Sequence, residues 1–185
     1  LPLPWSAWER GLRRYGFHGL SYAYQAIALP ERHGAAARGR TIVAHLGSGA
    51  SLCAMRELRS VATTMGFSAL DGLMMGTRTG ALDPGAVLYL MEIEKLSLEQ
   101  VGRVLYHESG LLGVSEISSD MRDLLTRQAT DVRAAEAVAL FCYQAKKWIG
   151  SFAAALGGLD TLLFAGSIGE NAPLVRTRIC RALGL

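Results

Sequence analysis

The chain has 185 residues, half of them hydrophobic and 19% charged, the composition of a soluble globular domain with room for one sizeable core. No apolar run approaches the ~20 residues that a membrane-spanning helix needs. Its 19 basic and 16 acidic residues leave a net charge of +3, with the arginines dispersed along the chain; this argues for a solvated surface with mild affinity for anions and against nucleic-acid binding.

Cys53, Cys142 and Cys180 are odd in number and form no C-x-x-C pair. They read as buried thiols of a reducing cytoplasm, not as a disulfide framework or a zinc site. His18, His33, His45 and His107 also lack metal-ligand spacing. The chain opens on Leu-Pro-Leu-Pro-Trp, with no initiator Met or signal-peptide pattern, and closes on Gly184-Leu185. Both ends lead us to expect a fragment.

Residues 30–39, rich in Gly, Arg and Ala, read as a loop. Residues 41–46 are β-branched and apolar and read as a strand, stopped by Gly47-Ser48-Gly49. Residues 51–55 and 60–64 read as two further strands, with a turn over residues 56–59. Two consecutive hairpins make an antiparallel meander. Residues 66–80 carry glycines at 66, 72, 76 and 80 and are expected to be a long ordered loop. Asp83-Pro84 opens a helix running to about Glu94. Ser97 and Gln100 form a capping box at the start of a helix toward His107.

From Asp131 to Leu156 the apolar residues Val132, Ala135, Val138, Phe141, Cys142, Ala145, Trp148, Ile149, Phe152 and Leu156 recur in steps of three and four. That is one apolar stripe of a long helix, ended by Gly157-Gly158. Residues 161–165 then read as a buried strand, residues 166–170 as a tight turn, and Asn171 as the cap of a last helix containing Pro173. Hairpins followed by helices and a helix–strand–helix unit imply an α/β fold, a mixed sheet with flanking helices.

Three glycine turns can carry chemistry: residues 46–49, 76–80 and 166–169. Glycine lets backbone N–H groups approach a phosphate closely. One such turn is more often structural; three together point to an anion or nucleotide site. There is no P-loop pattern. Arg78 sits inside the second turn, where its planar fork suits a phosphoryl group, although a surface arginine is the commoner case. His18 lies among glycines and aromatics in Arg14-Tyr15-Gly16-Phe17-His18-Gly19; a cleft-facing and a packed or capping histidine both fit. His45 ends a strand beside a glycine turn and can reach a phosphate or simply satisfy a sheet edge. Asp120 reads as a helix cap, or as a contact, with Arg122, for a ribose and an adenine face.

Taken together, these segments resemble the acetate kinase family, in the superfamily of sugar kinases, actin and chaperone ATPases. The resemblance rests on Arg13 to Gly19, His45 to Cys53, Thr64 to Phe67, Gly72 to Gly80, Asp83-Pro84, Ser118 to Leu124 and Ile168 to Asn171, in family order. It implies an actin-like (ribonuclease-H-like) ATPase domain over residues 40–185, preceded by an inter-domain lead-in over residues 1–39. It also implies reversible phosphorylation of acetate, or a similar short carboxylate such as propionate, by ATP with Mg2+. An inactive nucleotide-binding remnant and a dimerisation module are the alternatives for the chain by itself. His18 and Arg78 match the family's transition-state stabilisers. His45, Leu46, Gly47, Ser48 and Gly49 match its phosphate-binding hairpin. Asp120, Met121, Arg122 and Ser167, Ile168, Gly169, Glu170, Asn171 match the segments around adenosine, and Phe17 and Ala69 the acyl pocket.

Four places depart from the pattern: Ser48 for Asn, Leu20-Ser21-Tyr22 for Thr-Ser-His, Ser167 for Gly, and Ala69 for Pro, the last admitting a larger acid. The family's N-terminal catalytic Asp, carboxylate-binding Arg and phosphate-side Asn, and its magnesium-site Glu near the C-terminus, have no match here. Homodimerisation and a cytoplasmic location are further implications.

Overall fold

In the computed structural model, which describes residues 1–181, 183 and 184, four strands form one mixed sheet in the order β3-β2-β1-β4. Strands β1 (Thr41–Leu46), β2 (Ala50–Arg56) and β3 (Arg59–Thr63) form the meander, and β4 (Thr161–Ala165) lies parallel to β1. The two hairpin turns behave differently. Glu57 and Leu58 both take positive φ, as a two-residue turn between twisted strands requires, whereas the turn at Gly47–Gly49 closes onto a cleft.

Alternation along β1 and β2 sends side chains to two helical layers. Ile42, Ala44, Leu46, Leu52 and Ala54 join the main core with Val138, Phe141, Ala145 and Ile149 of α7 (Val132–Leu156). Val43, Cys53 and Met55 face the other way, against Tyr22 of α2 (Gly19–His33). Helix α7 has the expected ends: Asp131 accepts from the N–H groups of Arg133 and Ala134, and Gly157 takes the left-handed C-cap at φ +76°. Helices α3 (Pro84–Glu92) and α4 (Leu98–His107) also start as expected, on the Asp83 cap and on a complete Ser97–Gln100 capping box. The short helices α1 (Trp5–Glu9), α5 (Gly110–Ser115) and α6 (Met121–Arg127) complete the set before α7.

Several expectations are corrected. Residues 30–39 are not a loop: α2 runs through Pro30 to His33 and a 3-10 turn covers Gly34–Arg38. Pro30 lies in the last turn of α2, and the buried Tyr22 and Leu29 fix the helix to the sheet by tertiary packing that outweighs the local breaker. Strand β4 is half-buried rather than buried apart from Ala165, because it has a hydrogen-bonded neighbour on one side only. Gly166–Asn171 is a short helix, α8, and not a tight turn; α9 (Pro173–Cys180) follows from Ala172. Asn171 caps nothing: its amide donates back to Ser167 O at 2.9 Å. Cys53 and Cys142 are buried free thiols, but Cys180 is exposed, being on the outer face of α9 beside the buried Ile179.

Candidate functional site

The glycine loop of residues 66–80 has no regular structure, yet its middle is buried, so its peptide groups need partners. Apart from Met75 N–H, which donates to Arg78 O within the loop, several find them outside it. Met75 O and Gly76 O accept from the N–H groups of Leu111 and Leu112, Ser109 N–H donates to Thr77 O, and Thr79 N–H donates to Leu105 O. The ends of α4 and α5 thus hold the loop, and with it Arg78. The Arg78 guanidinium donates to Ala69 O at 3.0 Å, which fixes its plane and leaves its other terminal nitrogen beside Gly49.

The sheet end supplies the other side. His18 stands at the start of α2, its ring stacked on His45 with centroids 4.2 Å apart and planes 23° apart. His18 Nδ1 lies 2.7 Å from Ser51 Oγ, and His45 Nδ1 2.9 Å from Ser21 Oγ. Gly49 separates His18 from Arg78: a β-carbon there would fall 3.2 Å from His18 Nε2 and 3.3 Å from Arg78 Nη2. One glycine is therefore faced by two nitrogen groups from distant parts of the sequence.

Burial first, then the charges of His45 and Arg78, hold His18 down from 6.5 to about 4. Burial also lowers His45, against a smaller opposing pull from Glu170. Both imidazoles are neutral at pH 7. A histidine depressed in this way contributes stability that is present above 6.5 and lost as the pH falls toward 4, because the unfolded chain binds a proton that the folded one refuses. Urea unfolding is expected to show a midpoint that drops across this window, with a shallower drop for His18→Gln; equal drops in the two proteins would contradict the depressed value.

The three glycine turns converge. Gly76 N–H donates to Ser48 O at 3.1 Å, and a β-carbon on Gly47 would lie 3.5 Å from Ser167 Oγ. From Ser48 a cleft of about 440 Å³ runs between the start of α6 and the β4–α8 corner, lined by Ser48, Ser119, Asp120, Met121, Arg122, Ser167, Ile168, Asn171 and Ala172. Asp120 caps α6 by accepting from Arg122 N–H, and the Arg122 side chain pairs with the same carboxylate at 2.8 Å. That contact lowers the Asp120 carboxyl.

Most of the expected residues thus meet at this cleft or at the Gly49 corner, and a few do not. Leu46 is fully buried and contributes through its carbonyl, packed against Gly166. Gly169 is buried against Phe164 and Ala44. Glu170 lines a separate cavity between α2 and β4. Phe17 is half-exposed and lines a third cavity, of about 340 Å³, with Tyr15 and Tyr22 under α2. Ala69 does not line that cavity; its carbonyl accepts from the Arg78 guanidinium instead. Ser51, Ser21 and Ser119 also stand at these places, and no sequence pattern marks them, because the first two meet His18 and His45 only through long-range contacts and Ser119 enters the cleft only through the fold.

The sequence profile of the Acetokinase family matches residues 1–185. The chain belongs to the acetokinase family. It is 59% identical over 179 residues to an acetate kinase of Rhodopseudomonas palustris, covering 96% of this chain and 44% of that protein. The crystal structure of Porphyromonas gingivalis acetate kinase superposes with a TM-score of 0.95 at 38% identity, over all of this chain and 47% of that one. A propionate kinase from Francisella tularensis gives 0.88 at 35% identity, over 97% of this chain and 47% of that one. The acetokinase chain described here thus spans less than half the length of these relatives, and its fold is their actin-like ATPase fold.

Proposed function

We propose that the protein containing this chain phosphorylates a short carboxylic acid, acetate or propionate, with ATP, giving acyl phosphate and ADP reversibly, and that this chain supplies the nucleotide side of the site. One observation carries the reading: His18 Nε2 and Arg78 Nη2 flank Gly49, at the mouth of the cleft that starts at Ser48. Phosphates at Gly47–Gly49 and adenosine between Met121, Asp120 and Ser167 fit that continuity. Residues 1–39 act as the lead-in carrying His18, and 40–185 as the nucleotide-binding domain.

In the reaction a carboxylate oxygen attacks the γ-phosphorus while the bond to the β-phosphate's bridging oxygen breaks and ADP leaves. Such a transfer needs positioning and charge stabilisation more than covalent help. Arg78 holds the equatorial oxygens as a fixed cation. His18, neutral, donates a hydrogen bond to the same group. Magnesium accompanies the nucleotide in this reading. Among the described residues no three His, Cys, Asp or Glu side chains converge to hold a metal, so no step is assigned to the ion.

Among the described residues no helix is long and apolar enough to cross a membrane, and the free thiols suit a cytoplasmic location. Leu88, Tyr89, Met91 and Ile93 are exposed along and just after α3, which supports homodimerisation. The test is an assay of the complete reading frame that encodes this chain, with ATP and either acid, trapping acyl phosphate as its hydroxamate. Product is expected from at least one of the two. No product from either would remove the proposal.

A further inference from the structure

Behind His18 lies a chain of hydroxyls that phosphoryl transfer by itself does not explain. His18 Nδ1 is 2.7 Å from Ser51 Oγ, and Ser51 Oγ is in turn hydrogen-bonded to the hydroxyl of Tyr22. Ser51 is wholly buried and Tyr22 nearly so. Tyr22 comes from the first turn of α2 and Ser51 from β2, so the contact exists only where that helix lies on the sheet.

Proton accounting gives the chain a direction. Burial pushes the Tyr22 phenol well above its usual value, so it keeps its proton. Among the described residues its hydroxyl has one hydrogen-bond partner, Ser51 Oγ. A buried O–H without an acceptor costs ~1–3 kcal/mol, so Tyr22 donates to Ser51. Among the described residues Ser51 Oγ has one other partner, His18 Nδ1, and its own proton goes there. Nδ1 is then an acceptor, and a neutral imidazole that accepts at Nδ1 carries its proton on Nε2. Nε2 is the atom beside Gly49.

We infer that Tyr22 and Ser51 form a one-way hydrogen-bond relay that holds neutral His18 in its Nε2–H tautomer, so that the ring edge facing Gly49 is a donor to an incoming phosphoryl oxygen. The identity of that acceptor rests on the phosphotransfer reading; the tautomer does not. Tyr22 and Ser51 are positioning residues, since they reach the phosphoryl group only through the His18 ring. His45 makes the contrast. Its Nδ1 meets Ser21 Oγ, which has no second partner among the described residues, so nothing there imposes a direction and either tautomer is open.

The tautomer can be read directly. In the 15N-labelled 185-residue chain at pH 7, without substrate, side-chain NMR is expected to show His18 Nε2 as the protonated nitrogen and Nδ1 as the unprotonated one. In Tyr22→Phe, Ser51 loses its incoming proton and can accept as well as donate, so the two nitrogens move toward averaged values. Ser51→Ala is expected to do the same, and backbone amide spectra report whether either variant stays folded. In the complete protein, Tyr22→Phe lowers kcat by about tenfold, the size of one hydrogen bond, and leaves KM for ATP unchanged. Protonation of wild-type His18 on Nδ1, or an unchanged tautomer in folded Tyr22→Phe, would overturn the relay. Because the tautomer is read without turnover, a protein that made no acyl phosphate would sink the proposed reaction and not this result.

Discussion

Replacing Arg78 with alanine is expected to slow acyl-phosphate formation by the complete protein by ~10²–10³, or ~2.7–4 kcal/mol, the usual cost of one preorganised donor aimed at developing charge. The loss should appear in kcat. Arg78 is oriented before any ligand arrives, by its bond to Ala69 O and by the backbone bonds that tie its loop to α4 and α5, so little of its binding energy goes into ordering it. A lysine keeps the charge and loses the planar fork, and Arg78→Lys should recover only part of the rate. Steady-state kinetics of the three proteins check this; an Arg78→Ala variant within threefold of wild type would remove Arg78 from the site.

The second large effect belongs to a residue with no side chain. Gly49→Ala is expected to cost at least as much activity as losing one donor, again ~10² or more. The new methyl would sit 3.2 Å from His18 Nε2 and 3.3 Å from Arg78 Nη2, in the space where both would meet the phosphoryl group. Stability should change little, because the His18 and Arg78 side chains must give by a few tenths of an ångström and that cost offsets the backbone gain. Gly49 does not use a positive φ, so alanine is compatible with its backbone and restricts the unfolded chain, worth ~0.4–1 kcal/mol in favour of folding. Gly166→Ala is the contrasting case: at φ +80°, with its β-carbon 2.6 Å from Leu46 O, it should destabilise the fold outright. Urea unfolding beside kinetics separates the two. A Gly49→Ala protein that is active, or inactive only because it is unfolded, would contradict the assignment of that corner.

What the sequence made legible depended on how local the cause was. The Asp83 and Ser97 caps, the 25-residue helix ending at Gly157 and the two hairpins follow from residues a few positions apart, and the structure has them. Helix α2 was partly hidden because Pro30 signals a break locally, while the packing of Tyr22 and Leu29 that holds the helix is long-range. Gly166–Asn171 reads as a turn for the same reason: its glycines favour one, but the corner against β1 winds it into a helix. The glycine turns were each visible and individually weak. Their meaning came from convergence, which depends on the parallel pairing of β4 with β1, and no local pattern specifies that register. Glu170 was carried along with its neighbours in sequence, yet it points into another cavity, since one short helix cannot aim every side chain at one cleft.

That this chain supplies the nucleotide side of the proposed site is decided by titrating ATP into the 15N-labelled 185-residue chain and following the backbone amides. The expected shifts, saturating at or below millimolar ATP, fall on Ser48, Gly49, Ser119, Met121, Ser167 and Ile168. No shifts at millimolar ATP, or shifts confined to the cavity of Tyr24, Arg32 and Glu170, would contradict it.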